Sequence, residues 1–198
     1  TRTIVMAATQ YLLHRVHSQL LIVDVQQKLV PVIPQATELL ETTAFLLTAA
    51  QIMNVPVVVS EQYPKGLGPT VSEISEHRIQ KTVFEKLKFS AADGFLQSGS
   101  AESHQTRNQI VITGIETHIC VLQTALDLLS AGMQVFVVQD AVGSRHAADQ
   151  ASALDRIRNA GVTVCCAESV VFEWCEAAGT DEFRQISRLV RERDAKRT

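Results

Sequence analysis

Three residues of chemically useful type stand near the ends of apolar runs. Asp24 closes LLIVD, Cys120 lies in TGIETHIC just after QIVIT, and Lys86 lies in EKLKFSA. A carboxylate can take a thiol proton, a thiolate is a strong nucleophile, and an ammonium beside both favours their charged forms. Together they are the parts of a nucleophilic site. Each alone has a plainer reading: Asp24 as a cap or turn residue, Cys120 as a buried structural cysteine. Lys88 is the alternative to Lys86, because alternate residues of an extended segment face the same way.

The elements that must position these residues follow from hydrophobic patterning. Five short runs rich in Val and Ile, at 19–24, 55–60, 109–113, 134–139 and 162–165, lack polar alternation and read as strands covered on both faces. A weaker sixth strand lies at 81–84. Helical periodicity fills residues 36–53, 117–130, 148–160 and 182–193, with Gly132 and Gly161 as stops. Alternating strands and helices predict a three-layer α/β/α fold around a doubly wound, mainly parallel six-stranded sheet of order 3-2-1-4-5-6. In that order strands one and four are neighbours about 4.8 Å apart, and their carboxyl ends form the switch point where ligands bind. Asp24 and Cys120 then face each other across one cleft, and the long Lys86 side chain can fold back to it from a loop. The span 61–80, with Pro64, Gly66, Gly68 and Pro69, is long for a plain connection and reads as a functional loop.

Composition narrows the function classes. The chain has 198 residues, 46% hydrophobic and 20% charged, with a net charge of −3, which suits one globular domain spanning 1–198 with residues 1–17 as an N-terminal extension. No basic stripe marks a nucleic-acid surface, and no apolar run is long enough for a membrane span. The N-terminal residues lack a secretory signal, and Met6 is a candidate natural start. Cys165 and Cys166 are adjacent and unable to bridge easily, there is no C-x-x-C pair, and reduced thiols in a cytoplasmic protein are expected. DVQQKLVP after the first strand is no glycine-rich phosphate cradle, which argues against a dinucleotide-binding domain.

With these segments in order, the chain resembles the isochorismatase-like cysteine hydrolases from about residue 19 to 193, in particular the isochorismatase-domain-containing branch of unassigned substrate. LLIVDVQ, EKLKFSA and TGIETHIC match the family's aspartate, lysine and Gly-x-x-Thr-x-x-Cys segments, at Asp24, Lys86, and Gly114, Thr117 and Cys120. The resemblance implies an Asp24–Lys86–Cys120 triad acting on a small amide-like substrate through a thioester. It also implies a cis peptide between Ile115 and Glu116, with the amides of Glu116 and Cys120 as an oxyanion hole. Gln26, Tyr63, Phe89, Thr117 and His118 are candidate substrate contacts. The alternatives are a vinyl-ether hydrolase, the family's name-giving reaction, and a non-catalytic binding module.

No cofactor is implied, and no metal. The nicotinamidase branch carries Asp-x-His after the second strand, whereas Ser60, Glu61 and Gln62 stand here. His14, His17, His77, His104 and His146 show no ligand spacing and read as surface residues, while Cys165, Cys166 and Trp174 read as core. Glu116 divides evenly between pocket rim and structural duty. Ala92 stands where the family often has an aromatic residue, which would enlarge the pocket. A homo-oligomer is expected, with VVFEW after Ser169 as the apolar patch. The helix N-terminus, Lys86 and the converging amides should lower the Cys120 pKa, opposed by Asp24.

Overall fold

The computed structural model describes residues 11–99 and 106–197. His104 and the segment around Met6 lie outside the described residues. Strands β1 (Ser18–Val23), β2 (Val57–Gln62), β3 (Lys81–Lys86), β4 (Gln109–Ile115), β5 (Gln134–Gly143) and β6 (Thr163–Cys165) form one sheet of order β3-β2-β1-β4-β5-β6. All five pairings are parallel.

Successive side chains of a strand point to opposite faces, and here both faces are covered. Leu20 and Ile22 of β1 pack under α1 (Ala36–Met53), together with Trp174 and Ile186 from two later helices. Leu21 and Val23 face the other layer, built from α4 (Ala92–Ser98), α5 (Leu122–Ser130) and α6 (Ala147–Asn159). This two-sided burial is why the strands read as continuous apolar runs.

Several boundaries differ from the sequence reading. β2 and β3 extend through polar residues, because Glu61 pairs with Glu85 and Gln62 with Lys86. Lys86 is therefore the last residue of a strand and not part of a loop. β5 continues to Gly143 past a register shift opposite Ile112 and Gly114. β6 has only three residues at the sheet edge and is partly exposed, not covered on both faces. The span 61–80 holds two short helices, α2 (Pro64–Leu67) and α3 (Ser72–Ser75), and Gln26 forms an antiparallel bridge with Thr70.

The segment VVFEW is not a surface patch. It belongs to helix α7 (Ala167–Cys175), whose Val170, Val171 and Trp174 are buried in the chain's own core, leaving Phe172 exposed. A final helix, α8 (Asp181–Arg197), packs Ile186 into the same core, and its Arg193 donates to Asp140 and Thr42. Residues 11–17 are tied to the domain at two points: Leu13 is buried, and the His14 amide donates to Gln109 Oε1, while Tyr11, Leu12 and Val16 stay exposed. Among the described residues no helix is long and apolar enough to cross a membrane.

Candidate functional site

Two strand ends meet at the switch point. β1 pairs with β4 up to Val23 opposite Gly114, and the chain then turns at Asp24, which adopts a positive φ of 53°. Gly114 has φ +123°, and a Cβ there would overlap the Val23 carbonyl oxygen and lie 2.7 Å from the Val23 nitrogen. Only glycine lets the two backbones approach this closely. Beyond it the Ile115–Glu116 peptide is cis. Thr117–Val121 then form a single π-helical turn that leads into α5 and carries Cys120.

At this junction the three chemically useful residues come together. Asp24 is fully buried, and its Oδ2 accepts a hydrogen bond from Lys86 Nζ at 2.6 Å. Ser60 Oγ donates to the other carboxylate oxygen at 2.7 Å. Cys120 lies beside this pair, close enough for the Asp24 carboxylate, the Lys86 ammonium and the Glu116 backbone to act on its thiol. The Lys86 ammonium also donates to Gln62 Oε1 at 2.7 Å and to the carbonyls of Phe89 at 2.8 Å and Lys88 at 3.2 Å. Lys88 points outward and pairs with Asp93.

Burial governs the protonation of this cluster. Desolvation raises the Asp24 pKa above its ordinary value, against the opposing charge and hydrogen bond of Lys86. The Cys120 thiol, 5% exposed, is pushed up to about 12, first by burial and then by the Asp24 charge, with Lys86 pulling the other way. This corrects the expected lowering: the Lys86 charge and the Glu116 amide are outweighed by loss of water and a neighbouring anion. The resting sulfur is a protonated thiol.

The remaining candidates fall into distinct roles. Gln26 is fully buried with its amide committed internally: Oε1 accepts from the Gln62 N–H at 2.7 Å, and Nε2 donates to the carbonyls of Gln62 and Gly68. It is a brace with no group left for a substrate. Tyr63 and Phe89 are about half exposed beside Lys86, whose carbonyl accepts the Tyr63 N–H. Thr117 is buried with its hydroxyl unpartnered. His118 turns toward α6, with Nδ1 3.0 Å from Ser144 Oγ and Nε2 3.9 Å from Asp149. Glu116 accepts from the backbone N–H and the Nε of Arg145, which is structural duty. Ala92 is buried in the helix layer over the sheet, in the cluster that also holds Cys120.

Residues judged only by the absent metal motif have specific work. Ser60 and Gln62, two apart on one strand, present the same face to Asp24 and Lys86, while Glu61 on the opposite face accepts both the N–H and the hydroxyl of Thr70. That i, i+2 spacing was visible in the sequence. Among the described residues no three His, Cys, Asp or Glu side chains gather as a metal site. All four cysteines are free thiols. Burial pushes the Cys165 and Cys175 thiols up from their ordinary pKa. His77 is partly buried against Thr48 of α1, not a plain surface residue.

Comparison with known proteins places the chain in a family. Residues 18–169 match the Isochorismatase domain, a span that encloses Asp24, Lys86 and Cys120. A secreted isochorismatase effector of Phytophthora sojae is 41% identical over 180 residues, covering 89% of this chain and 86% of that protein. Isochorismatase domain-containing protein 2 of Danio rerio is 39% identical over 173 residues, covering 87% and 86%. Among solved structures, a MAR1 ribonuclease of Caenorhabditis elegans has a TM-score of 0.84 at 32% identity, covering 90% of this chain and 91% of that one. Sheet order, the close β1–β4 approach at Gly114 and these matches lead to one conclusion: the chain belongs to the isochorismatase family.

Proposed function

We propose that this protein is a cysteine hydrolase that cleaves the C–N bond of a small amide-like substrate through a thioester on Cys120. Family membership supports hydrolase chemistry broadly. The observation that carries the finer reading is the buried Asp24 carboxylate, held by the Lys86 ammonium at 2.6 Å at the same strand-end junction that carries Cys120.

As the sulfur attacks the carbonyl carbon, its proton passes to Asp24, and the new oxyanion lies toward the N–H groups of Glu116 and Cys120. Burial raises the proton affinity of Asp24, which narrows the gap to a thiol held near 12. The intermediate collapses, the C–N bond breaks, and Asp24 returns the proton to the leaving nitrogen. Water then gives a proton to Asp24 as it adds to the thioester. The C–S bond breaks and the proton returns to sulfur. Lys86 holds the carboxylate and balances its charge throughout. Thiol, carboxylate and ammonium supply nucleophile, base and charge, so the scheme needs no cofactor or metal.

Nuclease chemistry, named for the C. elegans neighbour, is the weaker reading: net charge is −3, and Lys86 is turned inward onto Asp24. The reading also places the protein in the cytoplasm as one domain in a homo-oligomer. The exposed side chains of Tyr63, Leu87 and Phe89 are those a second copy would cover. A mass near 21.7 kDa by light scattering would contradict the oligomer.

The test is hydrolysis of a panel of small amides, ureas and carbamoyl compounds by the wild type and by Cys120→Ala, Asp24→Asn and Lys86→Met. For any compound turned over, each substitution should cost about a thousandfold or more. Turnover that survives Cys120→Ala but not Asp24→Asn would favour the vinyl-ether type of reaction, in which the thiol is dispensable.

A further inference from the structure

Lys86 must keep its ammonium on Asp24 for the triad to hold its charges, yet it sits at the end of an edge strand. Its anchoring rests on residues that the triad does not include. Gln62 Oε1 accepts from Lys86 Nζ at 2.7 Å, while Gln62 Nε2 donates to the Leu87 carbonyl at 2.8 Å. The amide can be oriented only one way, because the ammonium is donor-only and the carbonyl acceptor-only. One neutral side chain thus grips the lysine at its charged end and at the backbone that follows it.

Gln62 is itself held in place. The β1–β2 pairing stops at Val23 opposite Ser60, because β1 turns away at Asp24. The Gln26 side chain continues the ladder, with Oε1 taking the Gln62 N–H and Nε2 reaching the Gln62 carbonyl. The end of β2 therefore stays extended past the end of its neighbour, and the alternation that points Ser60 at Asp24 also points Gln62 at Lys86.

We propose that Gln62 is a positioning residue that seats the Lys86 ammonium on the Asp24 carboxylate, and that Gln26 acts through it by replacing the missing strand pairing. This rests on the triad reading above. A carboxamide suits the task where a carboxylate does not. A second anion at position 62 would compete with Asp24 for the lysine, and an apolar group would remove one of the ammonium's four acceptors and leave the Leu87 carbonyl without its Gln62 donor.

The test needs no substrate. The titration of the Asp24 side-chain carboxyl carbon is followed by NMR and assigned with Asp24→Asn, in the wild type, Lys86→Met, Gln62→Leu, Gln62→Glu, Gln26→Leu and Glu61→Gln. Gln62→Leu should move the Asp24 midpoint upward by about one unit, since a loosened cation stabilises the carboxylate less. Gln62→Glu, which keeps the shape, should move it the same way, and Gln26→Leu less far. Glu61→Gln, on the opposite face of the strand, should leave it in place. An Asp24 midpoint that moves with Lys86→Met but with neither Gln62 variant would overturn this inference alone. One that does not move even with Lys86→Met would overturn the triad reading beneath it.

Discussion

Replacing Lys86 with Met tests the energetics of the site without any substrate. The Lys86 side chain is 6% exposed and that of Asp24 0%, at 2.6 Å. Removing the ammonium leaves a buried carboxylate with Ser60 as its remaining strong donor, a change that costs about 3–5 kcal/mol for a broken buried ion pair. Asp24→Asn should cost less, because the ammonium keeps three neutral acceptors at Gln62, Phe89 and Lys88. The double variant should lie nearer the wild type than Lys86→Met does, a coupling of about 2–3 kcal/mol. The effect also has a pH signature. Without Lys86 the Asp24 pKa rises further above 3.8, and a carboxyl raised in this way contributes stability fully present below 3.8 and lost as pH rises through the folded value. The deficit should therefore be largest at neutral pH and shrink on acidification. Urea unfolding of the four proteins at several pH values measures this. A Lys86→Met cost below about 1 kcal/mol, typical of an exposed pair, or additive single costs, would refute the reasoning.

Further outcomes follow from other parts of the fold. The Cys120 thiol, raised from 9.0 to about 12, contributes stability that is present below 9.0 and lost as pH climbs toward 12, so wild-type stability should fall relative to Cys120→Ala by about 1.4 kcal/mol per pH unit in that window. A gap between the two that stays constant above pH 9.0 would contradict it. Gly114→Ala forces a Cβ onto the Val23 backbone and should cost more than about 3 kcal/mol or prevent folding, read by circular dichroism and urea unfolding. Trp174→Ala should cost about 3–5 kcal/mol as a core truncation, whereas Trp174→Phe should cost far less, since the indole N–H has no partner to lose.

The fold was legible because parallel strands covered on both faces leave an unmistakable signal, and their alternation with helices leaves few topologies. The strand ends were not legible. Glu61, Gln62, Glu85 and Lys86 look like loop residues by composition, yet they pair as strand because the site is built on them. Helix α7 was missed although Ala167, Val170, Val171, Trp174 and Cys175 follow a 3.6-residue period, because the apolar density of VVFEW was read as surface. The residues of the cluster itself were legible one by one, from their place after each strand. What pattern alone could not carry is the balance of burial against charge at Cys120, which depends on how completely the junction excludes water. Nor could it show that Gln26, whose position suggests the cleft, spends its whole side chain on the end of a neighbouring strand.

The most direct test of the account is intact-mass analysis of the protein acid-quenched during turnover of a small amide, followed by peptide mapping. The account predicts an adduct of the acyl fragment's mass on the peptide containing Cys120, labile to hydroxylamine and absent in Cys120→Ala. Steady turnover with no adduct at any quench time, and undiminished in Cys120→Ala, would show that the thiol is not the nucleophile.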